Sequence, residues 1–242
     1  MKFAVIGGTG LIGSQVVRNL NAAGHEAVPQ SLSTGVDVVS GQGLDKALAG
    51  ADVVINLTNS PTFDDASLAF FRTSMDNLLA ASQKNGVGHF VILSIVGADQ
   101  VPGLDYYRAK VLQEDILKAG PVPYSIVRAT QFMEFMDATM SWTADGDTVR
   151  LPATPIQPIA AKDVARAVAE VAAGSPLNGI RNIAGPEVFP LDELGRITLS
   201  HKGDHRTVVT DPTAGLFALV EGDVLTDRDA HLAPTRYTDW LS

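Results

Sequence analysis

Ser94, Tyr106 and Lys110 have the types and spacing that proton-coupled carbonyl chemistry uses. Tyr106 and Lys110 are four apart, so a helix places them on one face. A tyrosine hydroxyl gives its proton to a developing alkoxide. A nearby ammonium draws the phenol pKa down from about 10 toward the working pH. A serine hydroxyl ending an apolar stretch orients the substrate oxygen. Each residue also has a plainer role open to it. Tyr106 can be a surface tyrosine, Lys110 a holder of ribose hydroxyls and Ser94 a partner for backbone groups. Tyr107 competes with Tyr106 and would sit about 100° around the helix.

Hydride chemistry needs a donor, and the N-terminus carries a place for one. Gly7-Gly8-Thr9-Gly10-Leu11-Ile12-Gly13 joins an apolar run, Phe3 to Ile6, to an amphipathic stretch. Glycines at 7, 10 and 13 let the turn close and let backbone approach a pyrophosphate. The N–H groups of Thr9, Leu11 and Ile12, at the start of the following helix, face the phosphates with a favourable dipole. A carboxylate ending the second strand would bind the ribose of NAD. Val28-Pro29-Gln30-Ser31-Leu32-Ser33-Thr34 has none, and no arginine. Gln30, Ser31, Ser33 and Thr34 are hydrogen-bonding groups for a 2′-phosphate. NADP(H) is therefore the preferred cofactor and NAD(H) the second choice, unless these residues form only a solvated turn.

Alternating elements must position these groups. Phe3–Ile6, His25–Gln30, Gly35–Val39, Asp52–Leu57, Gly88–Ser94 and Tyr124–Ala129 are the expected strands. Leu11–Ala23, Gly43–Ala49, Asp64–Asn85 and Tyr106–Ala119 are the expected helices. Near-continuous apolar strands separated by helices predict an α/β, doubly wound parallel sheet of the Rossmann type, in the order 3-2-1-4-5-6. Beyond residue 120 the chain carries ten of its 13 prolines and most of its negative charge. It still offers a helix at Lys162–Ala173, a strand at Ile180–Ala184 and a helix after Pro190. We read a single domain over 1–242. Residues 1–130 and 155–184 form the dinucleotide-binding core, and 131–154 with 185–242 a small substrate-binding elaboration.

Composition narrows the function classes. A chain of 242 residues with 45% hydrophobic and 19% charged residues builds a sizeable core. Its net charge of −9 opposes nucleic-acid and anionic-membrane partners. With no cysteine it has no disulfide, thiolate metal site or cysteine nucleophile. No apolar run is long enough to span a bilayer. The expectation is a cytoplasmic protein acting on a small molecule, with a homodimer left open.

Phe132, Met133, Phe135, Met136, Met140 and Trp142 recur at helical offsets. They suit either an apolar wall for a flat substrate or a core or dimer helix. His201 and His205 are interrupted by Gly203, and no metal site is expected. Arg128, after an apolar strand, can meet a phosphate or an internal carboxylate.

Together these residues resemble the short-chain dehydrogenase/reductase superfamily, in its atypical NmrA-like NAD(P)-binding branch. The resemblance is carried by residues 7–13, Gly50-Ala51-Asp52-Val53-Val54, Leu93-Ser94, Tyr106-Tyr107-Arg108-Ala109-Lys110, Pro123–Arg128 and Asp163-Val164-Ala165. It implies that Lys110 lies near the nicotinamide ribose. It implies that Asn56 to Pro61, with Asn56, Thr58 and Asn59, line the cofactor groove. It also implies that Ala129, Gln131 and Phe132 flank the nicotinamide. Gln30-Ser31 and Gly41-Gln42-Gly43 stand where many relatives carry an arginine and an aspartate. The expected function is an NADP(H)-dependent oxidoreductase passing hydride to a small apolar carbonyl or quinone. The alternative is a non-catalytic NADP(H)-binding redox sensor. A nucleotide-sugar isomerase is a third class on related folds.

Overall fold

The computed structural model describes residues 1–242. The chain runs β1 (Lys2–Ile6), α1 (Leu11–Ala22), β2 (Glu26–Gln30), α2 (Leu44–Leu48), β3 (Val53–Asn56), α3 (Ala66–Lys84), β4 (His89–Ile95), α4 (Asp105–Ala119) and β5 (Tyr124–Ala129). It continues through α5 (Met136–Trp142), β6 (Ala144–Asp145), β7 (Thr148–Leu151), β8 (Pro155–Ile156), α6 (Ala161–Ala173) and β9 (Gly179–Ala184). Then come β10 (Phe189–Pro190), α7 (Leu191–Lys202), β11 (Thr207–Thr210), β12 (His231–Leu232) and α8 (Tyr237–Leu241).

Seven strands form one sheet in the order β12-β9-β5-β4-β3-β1-β2. β1 pairs in parallel with β2 and β3, and β3 with β4. This is the expected Rossmann-like α/β sheet, with one correction at its edge. Gly35–Val39 is not a strand. Gly35, at φ +85°, ends a short turn over Leu32–Thr34, and the Asp37 N–H donates to the Gln42 carbonyl within the loop. Val36 and Val38 are buried all the same. Their alternation, which looked like strand periodicity, anchors a loop to the core. β2 is therefore the edge, and the sheet extends at its other side through β9 and β12.

The chain divides into two compact units. The first comprises residues 1–128 and 164–181. Its inner strands bury most of their side chains: Phe3 to Ile6, Val53 to Ile55 and Phe90 to Ile92 are all inside. Parallel strands covered on both faces require this. α3 contributes Phe71, Met75 and Leu78, none of them exposed. Burying each stabilises by about 1.5–3 kcal/mol. α3 begins two residues after the expected Asp64, whose carboxylate accepts the Ala66 N–H at 3.1 Å. Gly86, at φ +69°, ends it.

The second unit comprises residues 129–163 and 182–242. It holds a three-stranded sheet, β11-β7-β6, and a pair, β10-β8. Tyr237 is fully buried and shares a 2.6 Å hydrogen bond with Thr198 on α7. Gly195 lets α7 approach β7, since a Cβ there would stand 2.6 Å from Leu151 Cδ1. The apolar stretch at 132–142 splits. Met133, Met136 and Met140 are core, whereas Phe135 and Trp142 are about half exposed.

Candidate functional site

The glycine turn is built from backbone. Gly7 adopts φ +77°, which other residues rarely take. A Cβ on Gly7 would stand 2.8 Å from the Leu57 carbonyl oxygen, and one on Gly13 would stand 2.2 Å from that of Gly7. Glycine is therefore imposed by close approach. The Gly7 N–H donates to the Gln30 carbonyl at 2.8 Å, tying the turn to the end of β2. Thr9, Gly10 and Leu11 are exposed, while Ile12 and Gly13 are buried. No side chain caps α1, and its first turn holds no acid. Its leading N–H groups therefore stay open to an anion. These features fit a dinucleotide pyrophosphate.

The loop after β2 is a closed hydroxyl cluster. Ser31 N–H donates to Thr34 Oγ1 at 2.8 Å, and the Ser31 and Ser33 hydroxyls are 2.8 Å apart. Gln30 is buried beneath them. After β3, Asn56 is buried, and its Oδ1 accepts the Thr58 N–H and hydroxyl at 3.0 and 2.8 Å. Asn59 follows, and its Oδ1 accepts the Ser60 N–H at 2.9 Å. The structure thus brings Gly7, Gln30, Leu57 and Thr58 together at one end of the sheet.

Ser94, one residue before the end of β4, is buried, and its hydroxyl faces the Glu114 carboxylate. Tyr106 and Lys110 both lie on α4 but face different surroundings. Tyr106 is half-buried, edge-on to Phe63 at 4.9 Å between ring centroids. Its hydroxyl donates to Asn59 Oδ1. Burial, and then the neighbouring Tyr107, push its pKa above the ordinary phenol value. Tyr107 itself is buried.

Lys110 is only 4% exposed. Its Nζ donates to the Leu93 carbonyl at 2.7 Å and to Gln113 Oε1, and lies 4.8 Å from the centroid of the Phe71 ring. Burial draws its pKa down to about 7, against the opposing pull of the Glu114 carboxylate. The expected lowering of the Tyr106 pKa by Lys110 does not occur in this arrangement. The ammonium serves β4 and Gln113 instead.

Two further residues follow Lys110 on the same helical face and escaped the sequence reading. Gln113 and Glu114, three and four positions on, are fully buried. Their spacing from Lys110 was the available signal. Glu114 accepts two 2.8 Å hydrogen bonds from the Arg128 guanidinium and one of 3.2 Å from Lys118. Arg128 also reaches Asp99 at 3.1 Å. Arg128 therefore meets one internal carboxylate, Glu114, and one half-exposed, Asp99. Burial pulls the Glu114 carboxyl upward, but the hydrogen bonds from Arg128 and Ser94 and the charges of Arg128 and Lys118 together outweigh it and hold the group below its ordinary range.

The remaining candidates belong to the second unit. Ala129 ends β5 and is buried. The Gln131 carbonyl accepts the Ile159 N–H at 2.9 Å, while both polar atoms of its side chain are buried without a partner. Phe132 stacks on Phe135 at 5.5 Å.

Comparison with known proteins agrees with this geometry. Residues 7–174 match the NAD(P)H-binding family. A (4-alkanoyl-5-oxo-2,5-dihydrofuran-3-yl)methyl phosphate reductase of Streptomyces griseus is 32% identical over 151 residues, 57% of this chain and 49% of that protein. The match thus spans about half of that reductase. The photosystem II assembly factor Ycf39 of Synechocystis is 26% identical over 89% of this chain and 72% of its own length. The NADPH-dependent quinone oxidoreductase QOR2 of Escherichia coli shares the fold, with a TM-score of 0.72 at 17% identity over 99% of this chain and 98% of that one. No helix is long and apolar enough to cross a membrane. With its glycine turn, parallel sheet and matched span, the chain belongs to the NAD(P)H-binding family.

Proposed function

We propose that this protein is an NADP(H)-dependent reductase of a small apolar carbonyl or quinone. The observation that carries this reading is Tyr106. Its hydroxyl sits on the helix after β4, donates to Asn59 Oδ1, and as a phenol is protonated at neutral pH. It is placed as a proton donor and not as a phenolate base. The reduced nicotinamide, when bound, supplies the hydride. Tyr106 Oη would give its proton to the substrate oxygen, and the resulting phenolate would regain a proton from solvent. Ser94 Oγ, buried near the end of β4, turns from the Glu114 carboxylate to supply a hydrogen bond to the same oxygen. Phe63 and Phe71 beside Tyr106 favour an apolar acceptor.

The leading N–H groups of α1 hold the pyrophosphate, and the hydroxyls of Ser31, Ser33 and Thr34 hold the 2′-phosphate of NADP(H). The absence of a carboxylate between Val28 and Thr34 supports that preference. Lys110 contributes as a brace between α4 and the end of β4. The reductase among its relatives and the fold of the quinone oxidoreductase support this reaction class.

Thermal unfolding with NADP⁺, NADPH, NAD⁺ and NADH tests the cofactor. A ligand at a hundred times its Kd stabilises by about 2.7 kcal/mol, several degrees for a chain of this size. An acceptor panel of quinones and aldehydes then tests the reaction. A shift with NADH alone would overturn the cofactor choice. A second reading, a regulator that binds NADP(H) without turnover, is favoured by the Lys110 ammonium donating to the Leu93 carbonyl and Gln113. The similarity to an assembly factor points the same way. A protein partner released by NADPH, with no acceptor reduced, would establish it.

A further inference from the structure

Phe71 meets both α4 residues. Lys110 Nζ lies over its ring, and the Tyr106 ring tilts against it with centroids 6.3 Å apart. The Lys110 amine is occupied by the Leu93 carbonyl and Gln113. The Tyr106 hydroxyl therefore depends on Asn59 for a polar partner. A phenol has one hydrogen with two orientations close to the ring plane, so an acceptor fixed on one side decides where that hydrogen points.

Asn59 is itself fixed. Its Oδ1 also accepts the N–H of Ser60 at 2.9 Å, which locks the amide against its own backbone. The two residues before it touch the glycine turn. The Leu57 carbonyl oxygen and the Thr58 nitrogen lie 2.8 and 3.1 Å from where a Cβ on Gly7 would stand. One short segment thus contacts the cofactor turn and holds the hydroxyl of the proton donor.

The geometry points to Asn59 as the residue that positions Tyr106. Its amide oxygen holds the hydroxyl hydrogen until a substrate oxygen takes over as acceptor. It does so at a point tied to the turn that receives the cofactor. This rests on the reading of Tyr106 as proton donor and names the residue that aims the proton. The sequence reading had placed Asn59 only as lining the cofactor groove.

Four variants test it: Asn59→Leu, Asn59→Asp, Tyr106→Phe and the double variant Asn59→Leu/Tyr106→Phe. Urea midpoints need no turnover and report on the bond itself. If Asn59 and Tyr106 share it, the double variant is no less stable than the worse single one. Strictly additive midpoints would overturn the proposal. Turnover with an acceptor that the parent protein reduces gives the second readout. Asn59→Leu lowers kcat about tenfold at unchanged cofactor Kd. Asn59→Asp keeps an acceptor oxygen in the same place and restores kcat to within about threefold. A raised cofactor Kd with unchanged kcat in Asn59→Leu would make Asn59 a cofactor contact only, and would also overturn it. Asn59→Ser replaces the leucine variant should that one not fold. If the parent protein reduces no acceptor, the proton-donor reading fails, and the urea cycle still decides whether Asn59 holds Tyr106.

Discussion

The glycine turn and the α4 face lie in the same unit and are built in opposite ways. In the turn, backbone approaches backbone, and Gly7 and Gly13 are required because no side chain fits. On α4 the side chains decide everything. Tyr106 and Lys110 are one turn apart. One donates to Asn59 near the surface, and the other is enclosed by Leu93, Gln113 and Phe71. A backbone site tolerates almost no substitution at its contact points. A side-chain site can keep its motif and change what the motif does.

The largest effect that would sharpen this contrast is at Glu114. Removing its carboxylate by Glu114→Leu leaves Arg128 buried with only the half-exposed Asp99 as an ionic partner. Breaking a buried pair in this way costs about 3–5 kcal/mol, read as a lower urea midpoint. A change under about 1 kcal/mol would mean that Arg128 finds water instead. At the turn, Gly13→Ala forces a methyl against the Gly7 carbonyl. It should cost about 1–3 kcal/mol and abolish the thermal shift given by the cofactor. If nucleotides still raised the Tm of Gly13→Ala as in the parent protein, the turn would not be the cofactor site.

Tyr106→Phe should lower kcat about a hundredfold at unchanged cofactor Kd. Unchanged turnover would remove Tyr106 from the mechanism. Lys110 gives a pH signature. Its folded pKa of about 7 lies below the unfolded value of about 10.4, so between them the unfolded chain binds more protons. Stability therefore rises with pH across that window, by roughly 2 kcal/mol from pH 7 to 9. Lys110→Met should flatten the rise; if the slope persisted, another group would own it. The smallest effect is at Gln30. Gln30→Asp sets a carboxylate beneath the Ser31–Thr34 hydroxyls and should weaken NADPH binding about tenfold relative to NADH. Equal losses for both nucleotides would place the 2′-phosphate elsewhere.

Much of the fold was legible because burial leaves a local trace. Phe3–Ile6, Val53–Asn56 and His89–Ile95 are apolar nearly throughout, and only strands covered on both faces read that way. Gly35–Val39 misled because alternating valines bury equally well from a loop. At 132–142 the helical offsets were real, yet only the methionines turned inward. Periodicity says that a face exists and not what it meets. The Glu114–Arg128 pair was hidden because its members, 14 residues apart, lie on different elements.

The sequence by itself made the glycine turn legible, because part of its reason is local: the positive φ of Gly7 and the approach of Gly13 to the Gly7 carbonyl, although Leu57 crowds Gly7 from another element. It also determined the α4 register that sets Tyr106 and Lys110 one turn apart, because 3.6 residues per turn is a property of the helix alone. Only the tertiary structure decided what those two side chains do. Their partners come from other elements: Asn59 after β3, Phe71 from α3 and Leu93 from β4. Hydrogen-bond direction and desolvation depend on such neighbours and not on spacing along the chain. The same Tyr-x-x-x-Lys therefore specifies a helix face and leaves its chemistry to the packing around it.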